Sequence, residues 1–462
     1  MRILMASSEV YPFSKTGGLA DVLGALPEAL VKLGHEVLVV SPWYKTLKEA
    51  TPLWIGDVEV PFDGGATACG VGTYEKNGVR YVFVGNSAFE RDSIYGYDDD
   101  VKRFCLFTRA VPQVSARVGF VPDVVHAHDW HTGYLPMVLE HGWHMPDGFA
   151  HKPTVFTIHN AQYQGLSGIE ETLYWLRLPT SLTDSYMNYF GYANAMQAAL
   201  GFAWHVTTVS PTYAEEIKGP EFGYGLDGSF RHISNKLTGI LNGIDTGIWN
   251  PETDPNLPQT YTAKRLDKKL ENKRALCERF NLDPSKPLIG VVSRLVDQKG
   301  IDTVIEATSE LLWQDWSLIV LGSGATSLEN DLHALTAANP GRMASYIGYD
   351  EGLAHHIYAA ADALAIPSRF EPCGLTQMIA MRYGTLPIAR ATGGLVDTID
   401  HDRTGFLYEH DRPEGFLWAS GVARGAYAAQ DHWRYMMSEA MSEDFTWESS
   451  AQTYIDLYKS LG

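Results

Sequence analysis

The run Arg2-Ile3-Leu4-Met5-Ala6-Ser7 is followed by a glycine-containing loop, a helical pattern and a second apolar run, Val37-Leu38-Val39-Val40. The helical pattern is carried by five leucines and stops at Gly34; they are Leu19, Leu23, Leu26, Leu30 and Leu33. A strand, a helix that ends at glycine and an all-apolar strand predict a βαβ unit of a parallel sheet. Pro27 lies inside the helical pattern, so we expect a kink or a break there.

The same alternation of strand and helix continues outward and starts again after an irregular stretch, residues 250–258. Buried strands are predicted at residues 81–84, 121–126, 154–158 and 206–209, and then at 288–292, 318–321, 344–347, 363–366 and 386–389. The chain is therefore predicted to be α/β, with two doubly wound domains in series and an amphipathic helix at residues 447–461. In such sheets ligands bind beyond the carboxyl ends of the strands.

Composition excludes several classes of protein. The chain has 462 residues and 36 Lys+Arg against 55 Asp+Glu, a net charge of −19. General nucleic-acid binders rely on a basic surface, so we do not expect this chain to bind nucleic acid in that way. The chain shows no signal-peptide pattern and no apolar run long enough for a membrane span. The cysteines are far apart and contain no C-x-x-C pair, which favours a reduced, cytoplasmic protein without disulfides; they are Cys69, Cys105, Cys277 and Cys373.

The loop after the first predicted strand reads Lys15-Thr16-Gly17-Gly18-Leu19-Ala20-Asp21. Two glycines allow a ligand to approach the backbone, and a helix N-terminus offers free N–H groups to a phosphate. A tight turn with a solvated lysine is the alternative. The spacing matches neither the dinucleotide-binding fingerprint nor the P-loop, so NAD and P-loop functions lose their main support.

A second group of polar residues, His126-Ala127-His128-Asp129-Trp130-His131, follows a predicted strand. Its side chains suggest a metal site, sugar contacts or ordinary packing. Adjacent residues of a strand point to opposite faces. The side chains of His126, His128, Asp129 and His131 therefore cannot all converge on one ion without an unusual bend. No metal is therefore expected. His159-Asn160 follows the strand predicted at residues 154–158 and occupies the equivalent position, with a hydrogen-bonded loop histidine as the alternative.

In the second predicted domain, Arg294 and Lys299 lie between a strand and a helix. Arg and Lys together suit a diphosphate, although a surface ion pair is an equal alternative. After a later strand comes Ser368-Arg369-Phe370-Glu371-Pro372-Cys373-Gly374-Leu375-Thr376, in which Glu371 offers acceptors for sugar hydroxyls and Cys373 is interpreted as a packed thiol. Thr392-Gly393-Gly394 forms another strand-to-helix turn. Asp98-Asp99-Asp100 is interpreted as a solvated helix start rather than a metal motif.

In combination and in order, these motifs resemble bacterial glycogen synthases and plant starch synthases over essentially the whole chain. The motifs that carry the resemblance are Lys15 to Asp21, His126 to His131, Thr157-Ile158-His159-Asn160, Asn242-Gly243-Ile244-Asp245 before Trp249-Asn250-Pro251, Arg294 with Lys299, Ser368 to Thr376 and Thr392 to Gly394.

The resemblance implies a GT-B fold, in which two Rossmann-like domains face each other across a deep cleft and the last helix returns to the first domain. The expected domains are residues 1–245 with 445–462, and residues 246–444. It also implies a retaining enzyme that transfers glucose from ADP-glucose to the non-reducing end of an α-1,4-glucan, releasing ADP without a cofactor or metal. It gives no oligomeric state.

The resemblance also implies roles for individual residues. Arg294 and Lys299 would hold the diphosphate, Glu371 would contact the donor sugar, and His159 would lie beside the reacting sugar. The remaining substrate-binding candidates are Lys15, Gly18, Asp21, Asp129, His131, Asn160, Asn242, Tyr349 against adenine, Cys373, Gly374, Leu375, Thr376, Thr392, Gly393 and Gly394. Ile379 stands where many GT-B enzymes have a ribose-binding Glu, which glycogen and starch synthases also tend to lack.

Three other functions remain to be compared with this one. A UDP-glucose-dependent relative would differ only in its nucleotide. A catalytically silent glucan-binding protein would use the 12 Trp and 24 Tyr as stacking surfaces. An NAD oxidoreductase would need a fingerprint that the chain lacks.

Overall fold

A computed structural model describes residues 1–49 and 51–462. The described chain forms two compact units. Unit 1 comprises Met1–Gly243 and Trp447–Gly462, and unit 2 comprises Ile244–Thr446.

The strands are β1 Arg2–Ala6, β2 Glu36–Pro42, β3 Leu53–Phe62, β4 Gly65–Lys76, β5 Val79–Gly85, β6 Val124–His128, β7 Thr154–Ile158, β8 Leu166–Gly168, β9 Asn188–Tyr189, β10 Tyr192–Asn194, β11 His205–Thr208, β12 Leu237–Gly239, β13 Leu288–Val292, β14 Ser317–Gly322, β15 Met343–Ile347, β16 Ala363–Ile366, β17 Leu386–Arg390 and β18 Phe406–Tyr408.

The α-helices are α1 Gly18–Lys32, α2 Asp100–Arg117, α3 Leu135–His141, α4 Ile169–Leu176, α5 Ala195–Phe202, α6 Pro211–Glu216, α7 Asp227–His232, α8 Lys269–Phe280, α9 Ile301–Trp313, α10 Thr326–Ala338, α11 Glu351–Ala360, α12 Thr376–Arg382, α13 Gly394–Thr398, α14 Pro413–Ala428, α15 Gln430–Ser442 and α16 Trp447–Ser460. Short 3₁₀ helices span Ser87–Phe89, Trp130–Thr132, Thr180–Asp184, Ser234–Lys236, Ala263–Lys268 and Asp297–Lys299.

The main sheet of unit 1 has nine strands in the order β12-β11-β7-β6-β1-β2-β5-β4-β3. Its pairs are parallel from β12 to β5, and β4 is antiparallel to both β5 and β3. The strands β8, β10 and β9 form a separate antiparallel sheet. Unit 2 contains one six-stranded sheet in the order β15-β14-β13-β16-β17-β18, and every pair in it is parallel.

The first βαβ unit forms as the sequence predicts. The apolar side chains of α1 face the sheet and are buried, and the helix ends where Gly34 adopts a φ of 87° and its N–H bonds to the Val31 carbonyl. Of the kink or break expected at Pro27, the break does not occur, because α1 continues through the proline as one helix. Burial of Leu23, Leu26 and Leu30 on both sides of the proline offsets the loss of one backbone hydrogen bond.

Two parts of unit 1 differ from the sequence prediction. The strand expected at residues 121–126 begins only at Val124, after Pro122, and extends to His128, so two histidines belong to the strand itself. The long hairpin of β3 and β4 was not predicted. Both strands carry many exposed residues, and a search for continuous apolar runs does not detect half-exposed strands.

The C-terminal helix α16 belongs to unit 1, although it follows unit 2 in the chain. Its apolar face lies in the same core as β1 and α1. The buried side chains on that face are Trp447, Ala451, Tyr454, Ile455 and Tyr458. All four cysteines are buried, and among the described residues none forms a disulfide. Within residues 1–49 and 51–462, no helix is long and apolar enough to span a bilayer.

The packing of α16 predicts a large effect of Ile455→Ala on stability. Ile455 is 2% exposed in the core, so we expect the free energy of unfolding to fall by about 2–5 kcal/mol, the usual cost of truncating a buried aliphatic side chain to Ala. Thr453→Ala, on the exposed side of the same helix, should change it by less than about 0.5 kcal/mol. Urea denaturation followed by circular dichroism measures both values, and equal losses would contradict the packing.

Candidate functional site

In unit 2, the loops after β13 and β16 bring a cation and a carboxylate together. The Nζ atom of Lys299 lies 2.5 Å from Oε2 of Glu371, and Oγ of Ser368 donates to the same oxygen at 3.0 Å. Glu371 is buried, and Lys299 is only partly exposed. Lys299 does form an ion pair, which the sequence left as one of two equal alternatives, but the pair is partly buried and not on the surface.

Glycines make this approach possible. A Cβ at Gly300 would lie 2.1 Å from the Pro367 carbonyl oxygen, and one at Gly394 would lie 2.1 Å from the Cys373 carbonyl oxygen. The Gly394 N–H donates to the Glu371 carbonyl at 3.0 Å. Neither contact leaves room for a side chain. Glycine at these two positions therefore allows the loops after β13, β16 and β17 to pack directly against one another.

Further bonds fix the loop that carries Glu371. The Arg369 guanidinium pairs with Asp302, where two bonds of 3.0 and 2.6 Å form, and donates to the carbonyl of Asp297. The guanidinium of Arg390 donates to the Arg369 carbonyl. Gln298 donates to the Phe370 carbonyl at 3.2 Å. The backbone around Glu371 is thus held from both neighbouring loops.

Three other predicted residues of unit 2 have different surroundings. Arg294 is exposed, and within the described part of the chain its guanidinium has no hydrogen-bond or ion-pair partner. Tyr349 follows β15 and is 83% exposed. The Cys373 side chain is buried, as expected of a packed thiol.

Of the helix-start residues, Gly374 has a φ of 75°, Leu375 precedes α12 and Thr376 begins it. Thr392 and Gly393 precede α13.

In unit 1, a buried carboxylate holds the glycine loop from below. Glu9 is 3% exposed and accepts hydrogen bonds from the backbone of Thr16 and Gly17 and from the Thr16 hydroxyl. A Cβ at Gly17 or Gly18 would meet nothing within 4 Å, so packing among the described residues does not require either glycine. The exposed side of this loop is therefore open to a ligand. Lys15, beside it, pairs with Asp21 at 2.5 Å.

An aromatic contact joins this loop to the histidine cluster. The Tyr95 hydroxyl donates to Glu9 at 2.7 Å, and its ring stacks on His131 with centroids 4.7 Å apart. Burial lowers the pKa of His131 well below its ordinary value, so the ring is neutral near pH 7. The sequence predicted His131 as a candidate, but gave no signal that connected it to the glycine loop.

Three further histidines, His126, His128 and His159, lie in a row along β6 and just after β7. His126 and His128 lie on one face of β6 with ring centroids 4.0 Å apart, and Nδ1 of His128 lies 3.1 Å from Nε2 of His159. His126 also contacts the hydroxyls of Thr157 and Tyr458, at 2.6 and 2.7 Å. Burial lowers the pKa of both His126 and His159 to about 3. His159 is therefore uncharged near neutrality and cannot serve as a cation.

Asp129 connects the two strand ends. Its Oδ1 accepts the backbone N–H of His159 at 2.8 Å, and the backbone of Asn160 also donates to its carboxyl group. Its φ is 56° and its ψ is 173°, a conformation that L-residues rarely adopt. Burial raises the pKa of Asp129 to about 7. A strained residue whose carboxyl titrates near neutrality is typical of a functional position.

Two other candidates lie outside these contacts. Asn242 is buried near the end of the first segment of unit 1, and its Oδ1 has no hydrogen-bond partner within the described residues. Asp98-Asp99-Asp100 starts α2 as predicted, and Asp100 pairs with Arg103 at 2.7 Å. Across residues 1–49 and 51–462, no three or more His, Cys, Asp or Glu side chains are grouped so as to hold a metal ion.

Comparison with known proteins connects these loops to one family. Residues 2–232 match the family described as "Starch synthase catalytic domain", and residues 272–420 match "Glycosyl transferases group 1". A glycogen synthase of Deinococcus deserti is 45% identical over 464 residues, covering 99% of each chain. The chain belongs to the glycogen and starch synthase family. A second relative, a glycogen synthase of Geobacillus stearothermophilus, is 42% identical and covers 100% of this chain and 98% of its own.

Solved structures agree with membership of the glycogen and starch synthase family. The catalytic domain of starch synthase IV from Arabidopsis thaliana, bound to ADP and acarbose, is 35% identical with a TM-score of 0.91, covering 99% of this chain and 98% of its own. Sucrose-phosphate synthase from Thermosynechococcus elongatus, 19% identical with a TM-score of 0.63 over 100% of this chain and 98% of its own, shows the fold alone. The predicted GT-B fold and glycosyltransferase class are confirmed.

For this member of the glycogen and starch synthase family, the sequence prediction missed the residues that support the candidates. Glu9 and Tyr95 hold the glycine loop, and Ser368 and Arg369 hold Glu371. A signal existed for Glu9, because a carboxylate directly after a parallel strand lies at the ligand-binding edge of the sheet. Tyr95 had no such signal, since it is 86 residues away from Glu9 in the chain.

The backbone of Asp129 predicts an unusual order of stability between two variants. Asp129→Gly and Asp129→Ala both remove the carboxylate, but only Gly relieves a strain of about 1–3 kcal/mol, which exceeds its entropic disadvantage of about 0.4–1 kcal/mol. We expect the Gly variant to be the more stable one in thermal or urea unfolding. At Asp98, where φ is not positive, the order should be reversed. The same order at both positions would contradict the strain.

Proposed function

We propose that the chain elongates an α-1,4-glucan at its non-reducing end, using ADP-glucose as donor, retaining the anomeric configuration and releasing ADP. The observation that carries this proposal is the Lys299–Glu371 pair at the carboxyl ends of β13 and β16. The family supports it, since the curated relatives are named glycogen synthase and the starch synthase structure from Arabidopsis thaliana contains ADP and acarbose.

The diphosphate is assigned to the basic residues of the loop after β13. Negative charge grows on the departing diphosphate while the sugar becomes oxocarbenium-like, so preorganised cations lower the barrier. Lys299 is held in place by Glu371 and has further N–H donors, and the exposed Arg294 supplies a planar fork for phosphate oxygens. In unit 2, the Gly393-Gly394 turn is a further candidate for contact with phosphate. In unit 1, the candidates for donor contacts are the open backbone at Gly18 and the Lys15–Asp21 pair.

The donor glucose is assigned to Glu371. Its Oε2 accepts bonds from Lys299 and Ser368, and no described residue donates to Oε1. Oε1 is therefore the acceptor for a sugar hydroxyl. The neighbouring Cys373, Gly374, Leu375 and Thr376 line the sugar and phosphate loop, and Tyr349 and Thr392 contribute to the nucleotide and diphosphate contacts.

The reacting sugar and the acceptor are assigned to unit 1. The imidazole of His159 is neutral, so it cannot act on the reacting sugar as a charged group. Its proposed role is a hydrogen bond to that sugar. Asp129, His131, Asn160 and Asn242 complete the sugar side. In the proposed front-face attack, the departing phosphate oxygen takes the proton of the acceptor hydroxyl while the glycosidic bond forms on the face that ADP leaves.

The first functional prediction concerns the ion pair. Lys299→Ala should lower kcat for transfer from ADP-glucose to glycogen roughly a hundredfold or more, because it removes a preorganised charge from the leaving group. Glu371→Ala should abolish transfer, and Glu371→Gln should retain more donor affinity because its amide preserves an acceptor. The matched control is Lys264→Ala, an exposed lysine of the same unit. Labelled-glucose incorporation measures all four, and normal turnover by Lys299→Ala would overturn the assignment.

The second functional prediction concerns the nucleotide. If Tyr349 stacks on adenine, Tyr349→Ala should raise KM for ADP-glucose roughly 5- to 100-fold, the range that loss of base stacking produces. Tyr435→Ala, another exposed tyrosine of unit 2, is the control.

Turnover with ADP-glucose and UDP-glucose is measured side by side. Faster transfer from UDP-glucose would make the chain a UDP-glucose-dependent relative, and glucan binding without transfer from either donor would make it a silent binding protein.

A further inference from the structure

An open cavity of about 610 Å³ lies in unit 2 at β18, the edge strand of the six-stranded sheet. Its walls come from the loop before β18, from β18 itself and from the first turns of α14. Cavities of about 300–1,000 Å³ with aromatic walls and a few polar groups are typical of small-molecule sites. None of its lining residues has a part in the proposed transfer reaction.

An aromatic platform forms one wall of this cavity. The rings of Trp418 and His401 are parallel to within 5°, with centroids 6.0 Å apart. Trp418 is 57% exposed, so its ring is accessible to a ligand from solvent. The backbone N–H of Leu407 donates to Nδ1 of His401 at 3.0 Å, so a neutral ring carries its proton on Nε2 and offers it as a donor.

The lining also includes two acidic residues and a closely packed glycine. Glu409 and Glu414 are exposed carboxylates at the cavity, and they offer acceptors only. Gly415 packs closely at the base, where a Cβ would lie 2.8 Å from the His410 carbonyl oxygen and 2.9 Å from the Tyr408 ring. The cavity therefore has an aromatic face and acceptors for hydroxyl groups, and its two carboxylates disfavour an anion such as a nucleotide.

We propose that this cavity, which we call the Trp418 site, is a second carbohydrate site that binds an α-glucan chain through residues other than those assigned to transfer. A pyranose has an apolar face that stacks on an aromatic ring and hydroxyls that donate to carboxylates, and it is neutral. The choice of an α-glucan rests on the proposed function. A polymer bound at the Trp418 site would stay with the enzyme between transfer events, because a second contact raises the effective concentration of chain ends.

The test measures the full-length chain in glycogen affinity electrophoresis without a donor. Trp418→Ala should weaken the apparent affinity for glycogen roughly 3- to 10-fold, the loss expected when one aromatic contact is removed, and Trp418→Phe should recover part of it. Trp313→Ala is the matched control, since Trp313 is 87% exposed on α9 of the same unit. With ADP-glucose, Trp418→Ala should raise KM for glycogen and leave kcat on a short maltooligosaccharide unchanged.

Two outcomes would overturn the Trp418 site. Equal glycogen affinity of Trp418→Ala and Trp313→Ala would show that the platform binds no glucan. A shift from dimer to monomer on Trp418→Ala in sedimentation, with unchanged glycogen affinity, would make the cavity a contact between two copies of the chain. Failure of the proposed function is distinguishable, because it removes transfer from every donor while the electrophoresis, which uses no donor, still reports on the Trp418 site.

Discussion

The arrangement of unit 2 depends on a steric constraint between neighbouring loops. Strands β13, β16 and β17 are adjacent and parallel, so the segments that follow them leave the sheet at the same edge. These segments approach so closely that Gly300 and Gly394 have no space for a Cβ. That approach brings Lys299 to Glu371. A larger residue at either glycine would separate the loops and remove the pair on which the assigned chemistry rests.

In unit 1, a buried carboxylate fixes the position of a loop at the end of a strand. Glu9 lies beneath the glycine loop and accepts from its backbone, so the loop keeps its shape while its outer side stays open. Asp129 likewise bonds to the backbone after β7 and holds its own backbone in a strained conformation. In both places a carboxylate positions the main chain. Acidic residues can therefore be required around a binding site without contacting the ligand themselves.

The sequence predicted the parallel strands and the helices that pack on them because apolar periodicity reports burial directly. It placed Lys299 and Glu371 after two separate strands of the second domain, but could not predict their contact, since the adjacency of β13 and β16 in the sheet depends on the crossovers between them. Pro27 was expected to kink or break α1, and the helix continues through it with its apolar side chains buried on both sides. The β3–β4 hairpin was missed because its strands are half exposed. Tyr95 was missed because its contact with Glu9 joins distant parts of the chain, whereas Glu9 itself follows a parallel strand and could have been found.

A chain with a net charge of −19 can bind an anion if its cations are fixed in position and not merely numerous. Two of the bases assigned to the donor, Lys15 and Lys299, pair with carboxylates, and those pairs limit their motion before any ligand arrives. Arg294 is not paired within the described residues and keeps its full charge for phosphate. Elsewhere the acidic surface is compatible with a neutral polysaccharide, because hydroxyls donate to carboxylates without charge repulsion. The excess of acidic residues disfavours nucleic acid, but it is compatible with both proposed ligands. The anionic donor is bound by a few fixed cations, and the glucan is neutral.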